Sequence, residues 1–178
     1  GNGSAAILKG MTRMTKALMV IDLQNDYFPG GKFPLWNTDA ILENIERAVA
    51  KANTQGLPVI QIQHIAKGGL APFFNEGTPG ADIHPSILAA APKAPVVVKE
   101  FADSFEKTNL EETLTKLGVT DLLVCGMMTQ NCVTHTAIRP ACLSRCTGTS
   151  IFRPFRLNRQ RMRSPPPLPT GCWWWPAM

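Results

Sequence analysis

Four short apolar runs, separated by helical or turn-rich stretches, constrain this chain more than any other feature. They lie at residues 16–21 (KALMVI), 58–65 (PVIQIQHI), 95–99 (PVVVK) and 121–126 (DLLVCG). Each has the length of a strand. Between the first two, residues 38–53 place Ile41, Leu42, Ile45, Ala48, Val49 and Ala52 at helical spacing. Thr38 is positioned to cap that helix and Gly56 to end it. A Pro-Gly-Gly turn occupies 29–31, and a Gly/Pro-rich loop occupies 68–85. A helix is predicted over 110–117, and another starts near Thr129 and is interrupted around Pro140. Buried strands alternating with helices predict an α/β domain: a doubly wound, Rossmann-like parallel sheet flanked by helices.

In such a sheet the site lies beyond the carboxyl ends of the strands, near the point where strand order reverses. Asp22 ends the first run, Lys99 ends the third, and Cys132 follows the fourth where a helix opens. Three reactive side chains therefore fall on one sheet edge. A thiol near a helix start is expected to favour the thiolate, and a neighbouring lysine favours it further. A thiolate can attack a carbonyl to form an acyl intermediate, with Asp22 to move the proton and Lys99 to hold the carboxylate, steady the thiolate and position substrate. Backbone N–H groups at the turn before Cys132 would receive the oxyanion. Singly, each residue has a plainer reading. Asp22 could cap a turn, Lys99 could be a solvated charge, and Cys132 could be a small buried hydrophobe. Cys125, inside an apolar strand, is expected to be inert.

Charge divides the chain. Residues 1–138 hold 11 Lys+Arg against all 13 acids, a net of −2, while residues 139–178 hold seven Arg and no acid. Positive charge confined to a tail argues against a nucleic-acid partner for the folded body. The tail also carries three of five Cys, seven of 15 Pro and three of four Trp, in runs such as SPPPLP and CWWWP. That composition fits either GC-rich DNA read out of frame or a natural basic, Pro-rich arm. Cys142 and Cys146 lack a second Cys/His pair at zinc spacing, so no metal site is assigned there. The expected organisation is a leader or expression scar at 1–14, a catalytic domain at 15–138 and an atypical tail at 139–178. No stretch approaches the ~20 apolar residues of a membrane span. Residues 1–10 lack the apolar middle of a secretory signal, so the expected location is cytoplasmic.

ALMVIDLQNDYF, PVVVKEFADSF and LLVCGMMTQNCVTHTA resemble the isochorismatase-like cysteine hydrolase superfamily, which includes nicotinamidases and N-carbamoylsarcosine amidohydrolases. The likeness runs over roughly residues 16–138. It implies a triad of Asp22 as proton acceptor, Lys99 as electrostatic partner and Cys132 as nucleophile. It also implies a cis peptide at Met127–Met128, an oxyanion held by the N–H groups of Met128 and Cys132, a six-stranded sheet, and assembly as a dimer or tetramer. Presence of Cys132 favours the amidase-type branches. The second-to-third strand region offers His64 and His84 but no Asp-x-His, so neither a catalytic metal nor any other cofactor is expected, and His64 reads as a pocket-edge or structural histidine. Phe28, Trp36, Phe73 and Phe74 are candidates for an apolar pocket wall around a small-molecule substrate, with plain packing as the alternative.

The leading functional expectation is hydrolysis of a C–N bond in a small amide, ureide or carbamoyl compound through an acyl-cysteine. A vinyl-ether hydrolase of isochorismate type would instead need only Asp22 and Lys99. A catalytically silent oligomeric or redox-sensing protein would keep a reactive thiol without turnover. A nucleic-acid binder would depend wholly on residues 139–178.

Overall fold

A computed structural model describes residues 15–139 and Cys142. Four parallel strands form one sheet in the order β3-β2-β1-β4: β1 Lys16–Ile21, β2 Val59–His64, β3 Val96–Lys99 and β4 Asp121–Gly126. The chain winds from β1 outward to β3, then crosses back to pair β4 against the other side of β1. The order reverses between β1 and β4, which opens a crevice at their carboxyl ends.

Alternation along the buried strands builds two cores. Leu18, Val20 and Val59 face one side, against Ile45, Val49 and Ala52 of α1 (Thr38–Thr54) and Ile87 of α2 (Pro85–Ala90). Ala17, Met19, Ile21, Ile60, Ile62, Val97, Leu122 and Val124 face the other, against Leu110 and Leu114 of α3 (Leu110–Lys116) and Val133. The two central strands are thus covered on both sides, while the edge strand β3 buries Val97 and exposes Val96 and Val98. Cys142 is buried in the second core.

Two expectations are corrected. Thr38 does not cap α1: Asn37 precedes the helix in a left-handed conformation, φ 58°, and Thr38 is its first, buried residue. Asn tolerates that backbone far better than a β-branched residue, which moves the boundary by one position. The helix after β4 opens as a five-residue π-type turn, Thr129–Val133, before a short α4 (Thr134–Ala137). Gly56, at φ 66°, does end α1. Four strands are present among the described residues. The further two implied by the family likeness, the interruption at Pro140, and the expectations for residues 1–14 and for the tail other than Arg139 and Cys142 fall outside the described residues. No helix among the described residues is long and apolar enough to cross a membrane.

The loop between β2 and α2 is tied to β1 by buried polar groups. The Asp26 carboxylate accepts from Phe74 N at 2.7 Å and Lys32 N at 3.0 Å. Gly80 lies so close that a Cβ there would meet Asp26 Oδ1 at 2.0 Å. Gly126 is the tightest point at the site. It pairs with Ile21, has φ 144°, and a Cβ would fall 2.2 Å from Ile21 O. Gly126→Ala is therefore expected to push β4 from β1 and lower the unfolding free energy by about 3 kcal/mol, measured by urea unfolding. An unchanged midpoint would show that the approach can relax.

Candidate active site

Asp22 follows β1 in a left-handed bend, φ 54°, and is fully buried. Its N–H donates to Ile62 O and its own carbonyl accepts from Gln24 N, so the strand ends in a fixed turn. Lys99 closes β3, in register with His64 at the end of β2. Adjacent strands are ~4.8 Å apart, so a residue on β3 must reach across two spacings to touch one following β1. The lysine stem, the 3.0 Å contact and the Asp22 side chain together span that distance, passing His64. Cys132 lies in the π-type turn after β4, buried, beyond a cis peptide at Met127–Met128.

The three side chains converge. Lys99 Nζ lies 3.0 Å from Asp22 Oδ2, with both side chains withdrawn from solvent. It also donates to Phe101 O at 3.1 Å and lies 3.1 Å from His64 Nδ1. Three partners match the three N–H bonds of an ammonium. Lys99 is thus engaged by three groups as it stands. Cys132 Sγ lies within 4.8 Å of an Asp22 carboxylate oxygen, and both oxygens of that carboxylate are buried without a well-formed hydrogen bond to any described residue.

Burial sets the charge states. Desolvation raises the Asp22 pKa, against the opposing pull of Lys99 and the Cys132 hydrogen bond. Cys132 is pushed up to about 12, first by burial and then by the neighbouring Asp22 charge, with Lys99 acting the other way. The thiolate expected from a helix start is therefore corrected to a resting thiol. A five-residue turn has little dipole, and burial beside a carboxylate outweighs it. A more basic Asp22 narrows the gap between acceptor and thiol, which suits proton transfer during attack. Cys125 is also pushed up to about 12, by burial alone. His64 is lowered to about 4 by burial and then by Lys99, so it is neutral at pH 7.

Of the other candidates, Phe73 and Phe74 join an aromatic cluster with Tyr27 and Phe33, and Phe74 reaches the His64 ring at 5.9 Å between centroids. Phe28 is buried against His84, 4.4 Å between centroids. Trp36 is 82% exposed and is not brought to the site; it sits in the turn before α1, outside both cores. The Met128 carbonyl accepts from Asn131 N and Val133 N, folding the turn so that Met128 and Cys132 flank it.

Sequence reasoning missed Tyr27 and Gln24. Tyr27 is buried, and its hydroxyl is held above its usual pKa by burial and then by the Asp22 charge. Gln24 lies two residues beyond Asp22 and ties β1 to β2 through its side chain. The spacing in DLQNDY was the available signal.

Asp22, His64 and Cys132 each offer a ligand atom, all within 4.8 Å of one another. Two of those groups already hold the Lys99 ammonium, so a metal ion in the cluster would have to displace a buried cation.

Residues 16–141 match the family model for the isochorismatase domain. The chain is 42% identical over 123 residues to the uncharacterized isochorismatase family protein YddQ of Bacillus subtilis, covering 69% of this chain and 68% of that one. It is 32% identical to a streptothricin hydrolase of Streptomyces noursei, covering 70% of this chain and 48% of the relative. Among solved structures, an isochorismatase from Pseudomonas putida KT2440 superposes with a TM-score of 0.60 at 32% identity, over 68% of this chain and 61% of that one. The chain thus spans about half to two thirds of the length of these relatives.

Two outcomes follow from the buried charges. Lys99→Met should lower the unfolding free energy by about 3 kcal/mol by stranding Asp22, and adding Asp22→Asn should recover part of it. Equal losses in single and double variants, read by urea unfolding at pH 7, would show that the pair is not coupled. His64 binds a proton less readily folded than unfolded, so its stabilising contribution is complete above pH 6.5 and is lost as pH falls toward about 4. His64→Asn should flatten that slope in thermal unfolding. Comparison with the parent separates it from Asp22, whose raised pKa slopes the opposite way.

Proposed function

The chain belongs to the isochorismatase family of hydrolases, and on that premise we propose that it cleaves the C–N bond of a small, uncharged amide, ureide or carbamoyl compound through an acyl-cysteine. The observation that carries this reading is the fully buried Asp22–Lys99 pair adjoining the Cys132 thiol. Asp22 takes the thiol proton as Cys132 Sγ attacks the carbonyl carbon. The oxyanion is received by the N–H groups of Met128 and Cys132. The C–N bond then breaks as Asp22 returns the proton to the leaving nitrogen, and a thioester remains. Water, deprotonated by Asp22, attacks the thioester; the acid leaves and the proton returns to sulfur. Lys99 holds the carboxylate in place throughout.

An uncharged substrate is favoured by the surroundings. The Lys99 ammonium is fully partnered, and the neighbouring wall is made by Tyr27, Phe73 and Phe74. A substrate carboxylate has no free cation to meet among the catalytic groups.

Cys132→Ala should reduce product release by about 10³-fold or more against a panel of small amides and ureides, with the fold checked by unfolding. Turnover that survives in Cys132→Ala would favour vinyl-ether hydrolysis by Asp22 and Lys99. A folded parent that turns over no amide, and whose Cys132 is alkylated no faster than Cys125, would overturn the nucleophile assignment.

A further inference from the structure

We propose that His64 is a positioning residue that keeps the Lys99 ammonium on one oxygen of Asp22, leaving the other oxygen free to take the Cys132 proton. This rests on the reading of Cys132 as nucleophile and extends it to a residue outside the Asp-Lys-Cys set.

The argument begins with what fixes His64. The buried Gln24 side chain grips its backbone at two points: Nε2 donates to His64 O at 2.8 Å, and Oε1 accepts from His64 N at 2.8 Å. The same Nε2 donates to Ala81 O at 2.7 Å, so the amide cannot flip without losing donors. On the sheet side, Ile65 N donates to Lys99 O at 2.9 Å, which continues the β2–β3 register past His64. The ring then rests near Phe74 and presents Nδ1 to Lys99 Nζ at 3.1 Å.

An ammonium has only donors, so the His64 Nδ1 it touches must be the lone-pair nitrogen and the ring proton must sit on Nε2. The surrounding charges agree with a neutral ring. Lys99 opposes its protonation, and Glu100, next along the chain, is outweighed by burial. Asp22 and Cys132 complete the group around it.

Lys99 divides its three N–H bonds among an anion, an imidazole and a carbonyl. Remove the imidazole acceptor, and one N–H needs a new partner. Asp22 Oδ1, beside the oxygen that Lys99 already touches, is buried without a well-formed hydrogen bond. Pairing there would put both carboxylate oxygens on the ammonium. That would lower the basicity of Asp22 and occupy the oxygen left to take the Cys132 proton. His64 thus acts through Lys99 and Asp22 without touching the reacting atoms.

The test compares His64→Leu, which has no acceptor, with His64→Asn, whose Oδ1 replaces Nδ1 at nearly the same place. Iodoacetamide labelling of Cys132 at pH 7.5 should slow by about tenfold in the Leu variant and stay within about threefold of the parent in the Asn variant. For amide turnover, kcat should follow the same pattern with KM little changed. Urea midpoints establish that each variant is folded. Heteronuclear NMR of the unmodified protein provides a readout independent of any substitution, and at pH 7 the His64 proton should be on Nε2. A folded Leu variant that labels at the parental rate, or a ring proton found on Nδ1, overturns the proposal. If parental Cys132 instead labels no faster than Cys125, the nucleophile assignment itself fails. The NMR result then still reports whether His64 accepts from Lys99.

Discussion

A carboxylate and an ammonium 3.0 Å apart, both withdrawn from water, anchor the carboxyl edge of this sheet. Neither charge could be buried alone at acceptable cost, since the effective penalty is several kcal/mol per ion. Each therefore holds the other's strand in place. Lys99 reaches from β3 across β2 to the residue following β1, so the pair joins three adjacent strands at one end. The Cys132 thiol enters the same space from beyond β4, within 4.8 Å of a carboxylate made more basic by burial.

The surrounding backbone is shaped to make room for this group. Asp22 adopts a left-handed bend that few non-glycine residues tolerate, and Gly126 lets β4 approach β1 where any Cβ would collide with Ile21 O. Gln24 and Asp26 carry the order outward from β1. One grips β2 at His64 and the loop at Ala81, and the other holds the amides of Lys32 and Phe74. These short polar links hold the loop carrying Phe73 and Phe74 against Tyr27, because a loop with little regular structure needs buried side-chain acceptors for its N–H groups.

The desolvated setting also explains the chemical character of the thiol. Reactive cysteines in polar, half-open surroundings rest as thiolates. Here burial comes first among the causes, and a neighbouring carboxylate adds to it. On the proposed function, activation comes from proton transfer to Asp22 as substrate enters. This gives weight to details that orient Lys99, because an ammonium spread over both carboxylate oxygens would weaken the acceptor.

Much was legible in the chain itself. Short, mostly apolar runs at 16–21, 58–65, 95–99 and 121–126, alternating with helical stretches, pointed to a parallel sheet flanked by helices. The positions of Asp22, Lys99 and Cys132 at strand ends followed from the same periodicity. What remained for the tertiary structure depends on distance between elements remote in sequence. That Lys99 meets three partners, that burial pushes the Cys132 thiol up, that His64 Nδ1 lies against Lys99 and that Trp36 faces solvent are consequences of burial and strand order. Local sequence specifies which side chains lie along an edge. Only the packed sheet decides how much water each keeps, and with that its charge and its partner.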